Sequence, residues 1–123
     1  MNEQKMKQAM QAYIDLYNQD DLEGVCGLYA DDATVEDPVG TPVKSGKAAI
    51  REFYKFAMTT GARLSLAAPI RASHGNSAAM AFDVKLTYQG SNMVIRVIDV
   101  MTFDDAGKFA SMRAYWGPGD MIK

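Results

Sequence analysis

The sequence predicts an α+β fold, in which three N-terminal helices pack on a strongly curved, mostly antiparallel sheet that forms a conical pocket. The first observation is that the hydrophobic period is three to four residues in the first half of the chain and two in the second half. The second is that the helical segments come before nearly all the strands, an order that excludes a doubly wound parallel sheet. The predicted order is αα-β-α-ββββ, within one domain covering residues 1–123.

The first two helices are predicted from an apolar stripe and an N-cap. Apolar side chains recur every three or four residues from Met6 to Tyr17, and Tyr13 lies within that stripe. The segment 20–23 offers an aspartate N-cap with an acidic residue after it, which begins a short second helix. Tyr29 is expected to face inward at the end of that helix.

A short extended piece and a third helix follow. Residues 34–37 are predicted to be extended up to Pro38, and the two-residue period places Asp37 on the same side as apolar neighbours. Ser45 is the predicted N-cap of the third helix, which should end near Gly61. The inner stripe of this helix is Ile50, Phe53, Tyr54 and Ala57.

The second half of the chain predicts strands joined by turns. Apolar and polar residues alternate over 64–70, 78–88, 93–103 and 110–116, and each segment is separated from the next by residues typical of turns. Strands that follow one another through such short connections favour an antiparallel meander.

Asp99 interrupts the apolar face of the third of these strands. It is the single polar residue on a face that also carries Val97 and Met101, and no Lys, Arg or His shares that face. A carboxylate there needs a cation or must keep its proton with a raised pKa. A neutral carboxylic acid in an apolar cavity can donate a hydrogen bond to a substrate oxygen that gains negative charge. The alternative is a buried aspartate satisfied by backbone or water.

Composition limits the chemistry. The chain has 123 residues, 48% of them hydrophobic, and a net charge of −2 without a basic cluster, which argues against nucleic acid as a partner. It has no apolar run of membrane-spanning length and no signal-peptide core, so we expect a cytoplasmic protein that does not enter a membrane. Cys26 and His74 are the only residues of their types, so a structural zinc site would lack its usual ligands. Any chemistry must use Asp, Glu and Tyr.

The expected pocket combines apolar walls with a few inward polar groups. Tyr13, Tyr29 and Tyr54 are placed inward by helical spacing, Asp37 and Asp99 by strand spacing, and no cation is placed inward. This inventory favours an uncharged, apolar ligand. Taken singly, each tyrosine is also typical of an ordinary core aromatic, and Asp37 before Pro38 is also typical of a turn.

Together these residues form a recognisable set. Tyr13, the segment 29–40 (YADDATVEDPVG), the segment 51–54 (REFY) and the segment 97–99 (VID) closely resemble the bacterial ketosteroid isomerases. The resemblance continues through 71–74, 80–82 and 112–116, so it covers nearly the whole chain.

The resemblance implies roles for individual residues. By motif position, Asp37 is the general base that moves a proton, and Tyr13 and a protonated Asp99 bind the enolate oxygen. Tyr29 and Tyr54 match the family members in which further tyrosines support the oxyanion tyrosine. Ketosteroid isomerases are themselves the known example of a carboxylic acid kept neutral for this purpose, so only the location of Asp99 follows from the strand period.

The implied fold is the cystatin-like or nuclear-transport-factor-like one, and the implied reaction converts 3-oxo-Δ5-steroids to 3-oxo-Δ4-steroids through a dienolate, without metal or cofactor. Apolar side chains should hold the flat rings by burial. The expected substrate-binding residues are Phe53, Met80, Phe82, Val84, Met112 and Trp116.

Two other kinds of protein stay open at this point. One is a non-catalytic carrier of apolar ligands or an interaction module, since this fold also hosts transport-factor-like domains. The other is a relative such as a polyketide cyclase, which acts on a different enolisable ketone.

The outward face of the strand that carries Asp99 predicts an assembly. Val94, Ile98 and Val100 are apolar there, beside Arg96 and Thr102. An apolar patch of this kind should not stay exposed to water on an open sheet. We therefore expect a symmetric homodimer packed through this face, which is also consistent with the resemblance.

Overall fold

Three helices cover one side of a seven-stranded sheet. The computed structural model describes all residues 1–123. Its helices are α1 (Glu3–Asn18), α2 (Leu22–Gly27) and α3 (Lys47–Thr59). None of them combines the length and the apolar character that crossing a membrane requires.

The strands form one mixed sheet that is curled without being closed. Their order in space is β2-β1-β6-β5-β4-β3, with β7 paired to β5, and β1 and β6 run parallel while all other pairs are antiparallel. The predicted α+β class is confirmed. The strands are β1 (Tyr29–Glu36), β2 (Lys44–Ser45), β3 (Arg63–Leu66), β4 (Ser77–Tyr88), β5 (Ser91–Phe103), β6 (Phe109–Tyr115) and β7 (Met121–Ile122).

Two of the three helices begin on a side-chain cap. Asn2 accepts a hydrogen bond from the Lys5 amide and begins α1, and Asp21 accepts one from the Gly24 amide and begins α2, as the acidic segment predicted. The predicted cap of α3 at Ser45 is wrong. Ser45 pairs with Thr34 in the short strand β2, and α3 instead begins after Gly46, whose φ of +88° favours glycine.

Two strand boundaries also differ from the predicted ones. Tyr29 does not end a helix: it is the first residue of β1, where it pairs with Phe109 of β6. The strand predicted over 64–70 ends at Leu66, and Arg71 then forms an isolated bridge to Ala79. Both differences arise from pairing with residues far away in the sequence, which local periodicity does not report.

The core lies between the helices and the inner face of the sheet. Its 23 packed side chains include five from α1 and most inward residues of β4, β5 and β6. Asn18 at the end of α1 joins the helix to the edge strand β3, because its side chain bonds both the amide and the carbonyl of Leu64 at 2.8 Å. The helices and the curled sheet thus leave a cavity between them.

Candidate active site

The cavity opens between α1, α3 and the strands β3 to β5 and has a volume of about 320 Å³. Tyr13, Asp37 and Asp99, which were predicted from three distant parts of the chain, all line it. A larger depression of about 650 Å³ lies beside Arg96, Ile98 and Tyr115, but it contains neither of the inward carboxyls. The smaller cavity is therefore the candidate site.

Asp99 is placed by the long β4–β5 hairpin, in which it pairs with Met80. Its side chain is 1% exposed, and neither carboxyl oxygen has a hydrogen-bond partner. Burial, followed by the nearby charge of Asp37, raises the pKa of Asp99 well above its usual value. Such a carboxyl keeps its proton and is free to donate a hydrogen bond into the cavity.

Asp37 follows β1 and is joined to Pro38 by a cis peptide bond. The Nε1 atom of Trp116 donates a hydrogen bond to its Oδ1 atom at 2.8 Å. Burial raises the pKa of Asp37, while this hydrogen bond and the charge of Lys44 oppose the rise. Asp37 thus has two groups that stabilise its ionised form, and Asp99 has none.

Three phenols form a continuous row beside Asp99. The hydroxyl of Tyr54, on α3, lies 3.0 Å from that of Tyr13, on α1, and 2.6 Å from that of Tyr29, on β1. Burial is the main cause that raises the pKa of each hydroxyl well above 10, so all three are neutral. Edge-on contacts with Phe109 hold the rings of Tyr13 and Tyr29 in place.

The direction of these hydrogen bonds follows from counting protons. Each phenol has one proton to donate. If Tyr13 donates into the cavity, then Tyr54 donates to Tyr13 and Tyr29 donates to Tyr54, which leaves no donor unused. The row is therefore suited to strengthening a hydrogen bond that Tyr13 donates into the cavity.

The residues expected to bind substrate divide into two groups. Phe53, Phe82, Val84 and Trp116 line the cavity. Met80 and Met112 are 2% and 1% exposed and lie in the core, and neither reaches the cavity wall. Strand parity gives the correct face for these two methionines but not their depth beneath the helices.

Sequence reasoning missed two polar residues near the site. Tyr17 lines the cavity one helical turn after Tyr13, whereas the sequence predicts only its place in the apolar stripe of α1. Lys44 lies on β2, where its Nζ atom is 5.3 Å from the centroid of the Phe53 ring. Lys44 does not line the cavity, but its charge acts on Asp37, and a two-residue strand gives no pattern from which to place it.

The described residues contain no group of three or more His, Cys, Asp or Glu side chains arranged to hold a metal ion.

Comparisons with known proteins agree with this architecture. The SnoaL-like domain family matches residues 10–112. The chain is 42% identical to the steroid Delta-isomerase of Nocardioides simplex, over 96% of this chain and 94% of that enzyme. It is 23% identical to the epoxide hydrolase LasB of Streptomyces lasalocidi, over 98% of this chain but only 50% of that protein.

The fold of a solved enzyme is also very similar. The structure of the epoxide hydrolase/cyclase-like enzyme SalBIII, which acts in pyran ring formation in the polyether salinomycin, superposes with a TM-score of 0.90 at 31% identity, over 96% of this chain and 95% of that one. The Nocardioides enzyme confirms the resemblance to ketosteroid isomerases and the prediction of an enzyme of that type. The chain therefore belongs to the SnoaL-like domain family, within which it is a homologue of a steroid isomerase.

Proposed function

We propose that this protein is a steroid Δ5-isomerase, which converts 3-oxo-Δ5-steroids to 3-oxo-Δ4-steroids by moving one proton within the substrate. The observation that carries the proposal is the meeting of Asp37, Tyr13 and Asp99 in one apolar cavity, where one carboxyl is stabilised as a base and the other is kept neutral. The relationship to the Nocardioides enzyme supports the choice of a steroid.

Asp37 carries the proton in this mechanism. Its carboxylate takes a proton from the carbon between the ketone and the alkene, the electrons of that C–H bond move toward the ketone, and a dienolate forms. The protonated Asp37 then returns the proton two carbons further along, and the conjugated double bond results. The same carboxyl acts first as base and then as acid, so each cycle ends with Asp37 ionised again and contains no redox step.

Tyr13 and Asp99 stabilise the oxygen of the dienolate. Both are neutral donors in a buried site, where a hydrogen bond to a developing negative charge is stronger than in water. Asp99 has no competing partner, and Tyr13 is supported by Tyr54 and Tyr29. The donors thus act most strongly when the charge on the oxygen is largest.

Apolar walls orient the substrate. Phe53, Phe82, Val84 and Trp116 form a surface on which flat rings are buried, and burial brings the reacting carbon close to Asp37. Trp116 has a second role, because the same side chain that borders the rings also donates to the base.

A second candidate is a related proton transfer on another flat, enolisable ketone, as in a polyketide cyclase. This second candidate is supported by the similarity to the epoxide hydrolase/cyclase-like enzyme, which is 31% identical and has the same fold over nearly its whole length. A base facing two neutral donors suits both reactions. A non-catalytic carrier is disfavoured, because binding alone gives no reason to bury two carboxyls on an apolar wall.

We further propose that the protein is a homodimer packed through the outer face of β5 and β6. Ile98 is 49% exposed and pairs across the sheet with Tyr115, which is 42% exposed. An apolar patch of this kind is typical of a self-complementary two-fold interface.

Asp37→Asn tests the proposed activity, because it removes the base and leaves size, walls and donors unchanged. Wild-type protein should convert a 3-oxo-Δ5-steroid, which is followed by the absorbance of the conjugated ketone. The variant should lose roughly ten-thousandfold or more in turnover, since one group serves both proton steps. A phenolic steroid, whose ring oxygen resembles that of the dienolate, should still bind the variant, and more tightly, because the amide does not repel that oxygen.

Near-normal turnover by Asp37→Asn, or loss of the phenolic ligand together with activity, would contradict the assigned mechanism. Tight steroid binding by the wild-type protein without turnover would favour the carrier. Turnover of other enolisable ketones in preference to steroids would favour the second candidate.

A further inference from the structure

Tyr17 is a buried phenol that the proposed mechanism does not use. It lies four residues after Tyr13 on α1, hence about 6 Å further along the helix axis and on the same face. Its side chain is 5% exposed and lines the cavity. A substrate held at one end by Tyr13 and Asp99 therefore occupies a cavity that Tyr17 also lines.

The hydroxyl of Tyr17 makes no hydrogen bond within the chain, while the polar groups around it are already occupied. Asn18 bonds the backbone of Leu64, and the Thr60 hydroxyl donates to the carbonyl of Ala57 at 2.6 Å. The guanidinium of Arg63 binds the Asp20 carboxylate through two bonds of 3.1 and 2.8 Å. The structure thus offers Tyr17 no internal partner.

The ring of Tyr17 is buried but its hydroxyl is open to the cavity, where water can bond it. A ligand that displaces this water must offer an acceptor, or it leaves the hydroxyl unpaired. Most other polar side chains of the cavity are hydrogen-bonded in pairs, Tyr13 with Tyr54 and Asp37 with Trp116. Asp99 has its own role toward the enolate oxygen. Tyr17 is therefore the one polar side chain of the cavity with a free donor and no assigned role.

The phenol of Tyr17 is a donor at every working pH. Burial is the largest cause that raises its pKa, to about 12, and the charge of Arg63 opposes the rise only in part. A group of this kind recognises an acceptor oxygen and does not exchange protons with it.

We propose that Tyr17 determines substrate specificity by donating a hydrogen bond to a second oxygen of the steroid, a carbonyl or hydroxyl on a ring beyond the one that reacts. This inference rests on the proposed function and extends it from 3-oxo-steroids in general to those that carry this second oxygen. A steroid with only carbon and hydrogen at that position displaces water from the Tyr17 hydroxyl without replacing its hydrogen bond, and it binds less well.

Tyr17→Phe tests the proposal, because it deletes the hydroxyl and keeps the ring. The variant and the wild-type protein are compared on pairs of 3-oxo-Δ5-steroids, each pair differing in one ring oxygen away from the reacting ring. For one pair, we expect the variant to lose roughly 3- to 10-fold in kcat/KM on the oxygenated member, mainly through KM, and nothing on the deoxygenated member. Tyr88→Phe, which changes an exposed phenol at the β4–β5 turn, is the matched control and should alter neither.

Binding of the corresponding unreactive Δ4-ketones, measured through Trp116 fluorescence, repeats the comparison without turnover. If wild-type protein binds these ligands but converts no substrate, the proposed isomerase function fails. The inference on Tyr17 is still tested in that case, by the affinities of the two proteins for the Δ4-ketones. Equal losses on both members of every pair would mean a merely structural role and would overturn the inference. So would a wild-type protein that never prefers the oxygenated member.

Discussion

At the scale of residues, the site depends on a difference between two carboxyls that share one cavity. Asp37 has an indole donor at 2.8 Å and the charge of Lys44 nearby, and Asp99 has no partner for either oxygen. Their environments therefore separate their pKa values, so that one carboxyl is the better base and the other the better donor. The separation comes from the neighbours, since the two side chains are chemically identical.

Asp99→Asn should leave stability at neutral pH equal or higher while slowing turnover. The folded pKa of Asp99 is raised, so the stability that its proton contributes is fully present below the unfolded pKa of about 3.9 and is lost as pH rises toward the folded pKa. The amide does not titrate, so the variant should gain on the wild-type protein in free energy of unfolding as pH rises above about 4. Urea unfolding at several pH values measures this gain.

Turnover of the same variant should fall roughly 10- to 100-fold, because an amide is a weaker donor to an oxyanion than a carboxylic acid. A strong loss of stability at neutral pH would mean that Asp99 is a charged structural partner.

Trp116→Phe should move the acidic limb of the pH profile of kcat/KM to higher pH. Burial already raises the pKa of Asp37, and the indole hydrogen bond opposes that rise, so removing the indole raises the pKa further and protonates the base at a higher pH. Lys44→Gln should shift the limb in the same direction but less far. Val84→Ala alters the cavity wall but neither of the two groups that act on Asp37, and it should leave the acidic limb at its wild-type pH. An unmoved limb in both Trp116→Phe and Lys44→Gln would refute this account.

At the scale of elements, α1 does more than supply Tyr13. Asn18 at its end bonds the amide and carbonyl of Leu64, the backbone groups that point away from β4 at the edge of the sheet. The Asn18 side chain thus pairs with the edge strand as a neighbouring strand would. It holds the end of α1, which carries Tyr17, against β3.

Asn18→Ala should lower the free energy of unfolding by about 1–3 kcal/mol, because two part-buried backbone groups lose their partner. Gln11→Ala on the same helix removes only an exposed bond to Asp15 and should stay within about 0.5 kcal/mol. Denaturant unfolding of both variants tests this, and equal effects would show that the Leu64 contact does not hold the helix.

How far the sequence predicts this fold depends on whether an element is defined locally. Helix α1 and the long β4–β5 hairpin follow from unbroken periodicity, and the inward position of Asp99 follows from it too. The pairing of β1 with β6 joins Val35 to Met112, and no local pattern reports a partner so distant. The wrong cap at Ser45 has the same cause, because pairing with Thr34 overrides its capping preference.

The candidate site is subject to the same limit. Periodicity places Tyr17 on the inner face, but whether its hydroxyl has a partner depends on the packing of α3 and β3 around it. Lys44 approaches Asp37 only because β2 pairs with β1. The sequence therefore predicts which residues face inward, and tertiary packing decides what each of them can contact.

At the scale of the whole molecule, the outer sheet face should control assembly. Ile98→Lys places a charge within the exposed apolar patch, and burying it against a second copy would be unfavourable. We expect dimers for the wild-type protein and monomers for the variant in sedimentation velocity at micromolar concentration. Lys substituted for Tyr88, which is exposed at the β4–β5 turn, should leave the dimer intact. A wild-type protein that sediments only as a monomer would contradict the homodimer.

The row of phenols has a consequence for where protons can travel. Tyr29, at its inner end, bonds only the Tyr54 hydroxyl, and burial raises the pKa of all three groups well above 10. A proton wire needs an acceptor and an outlet to water, and this row has neither. The row ends at Tyr29. Its hydroxyls can stabilise negative charge on a bound oxygen, but they cannot conduct a proton between that oxygen and bulk water. The row thus gives a proton no way out of the cavity on that side, which suits the proposed mechanism, in which Asp37 takes the proton from the substrate and returns it.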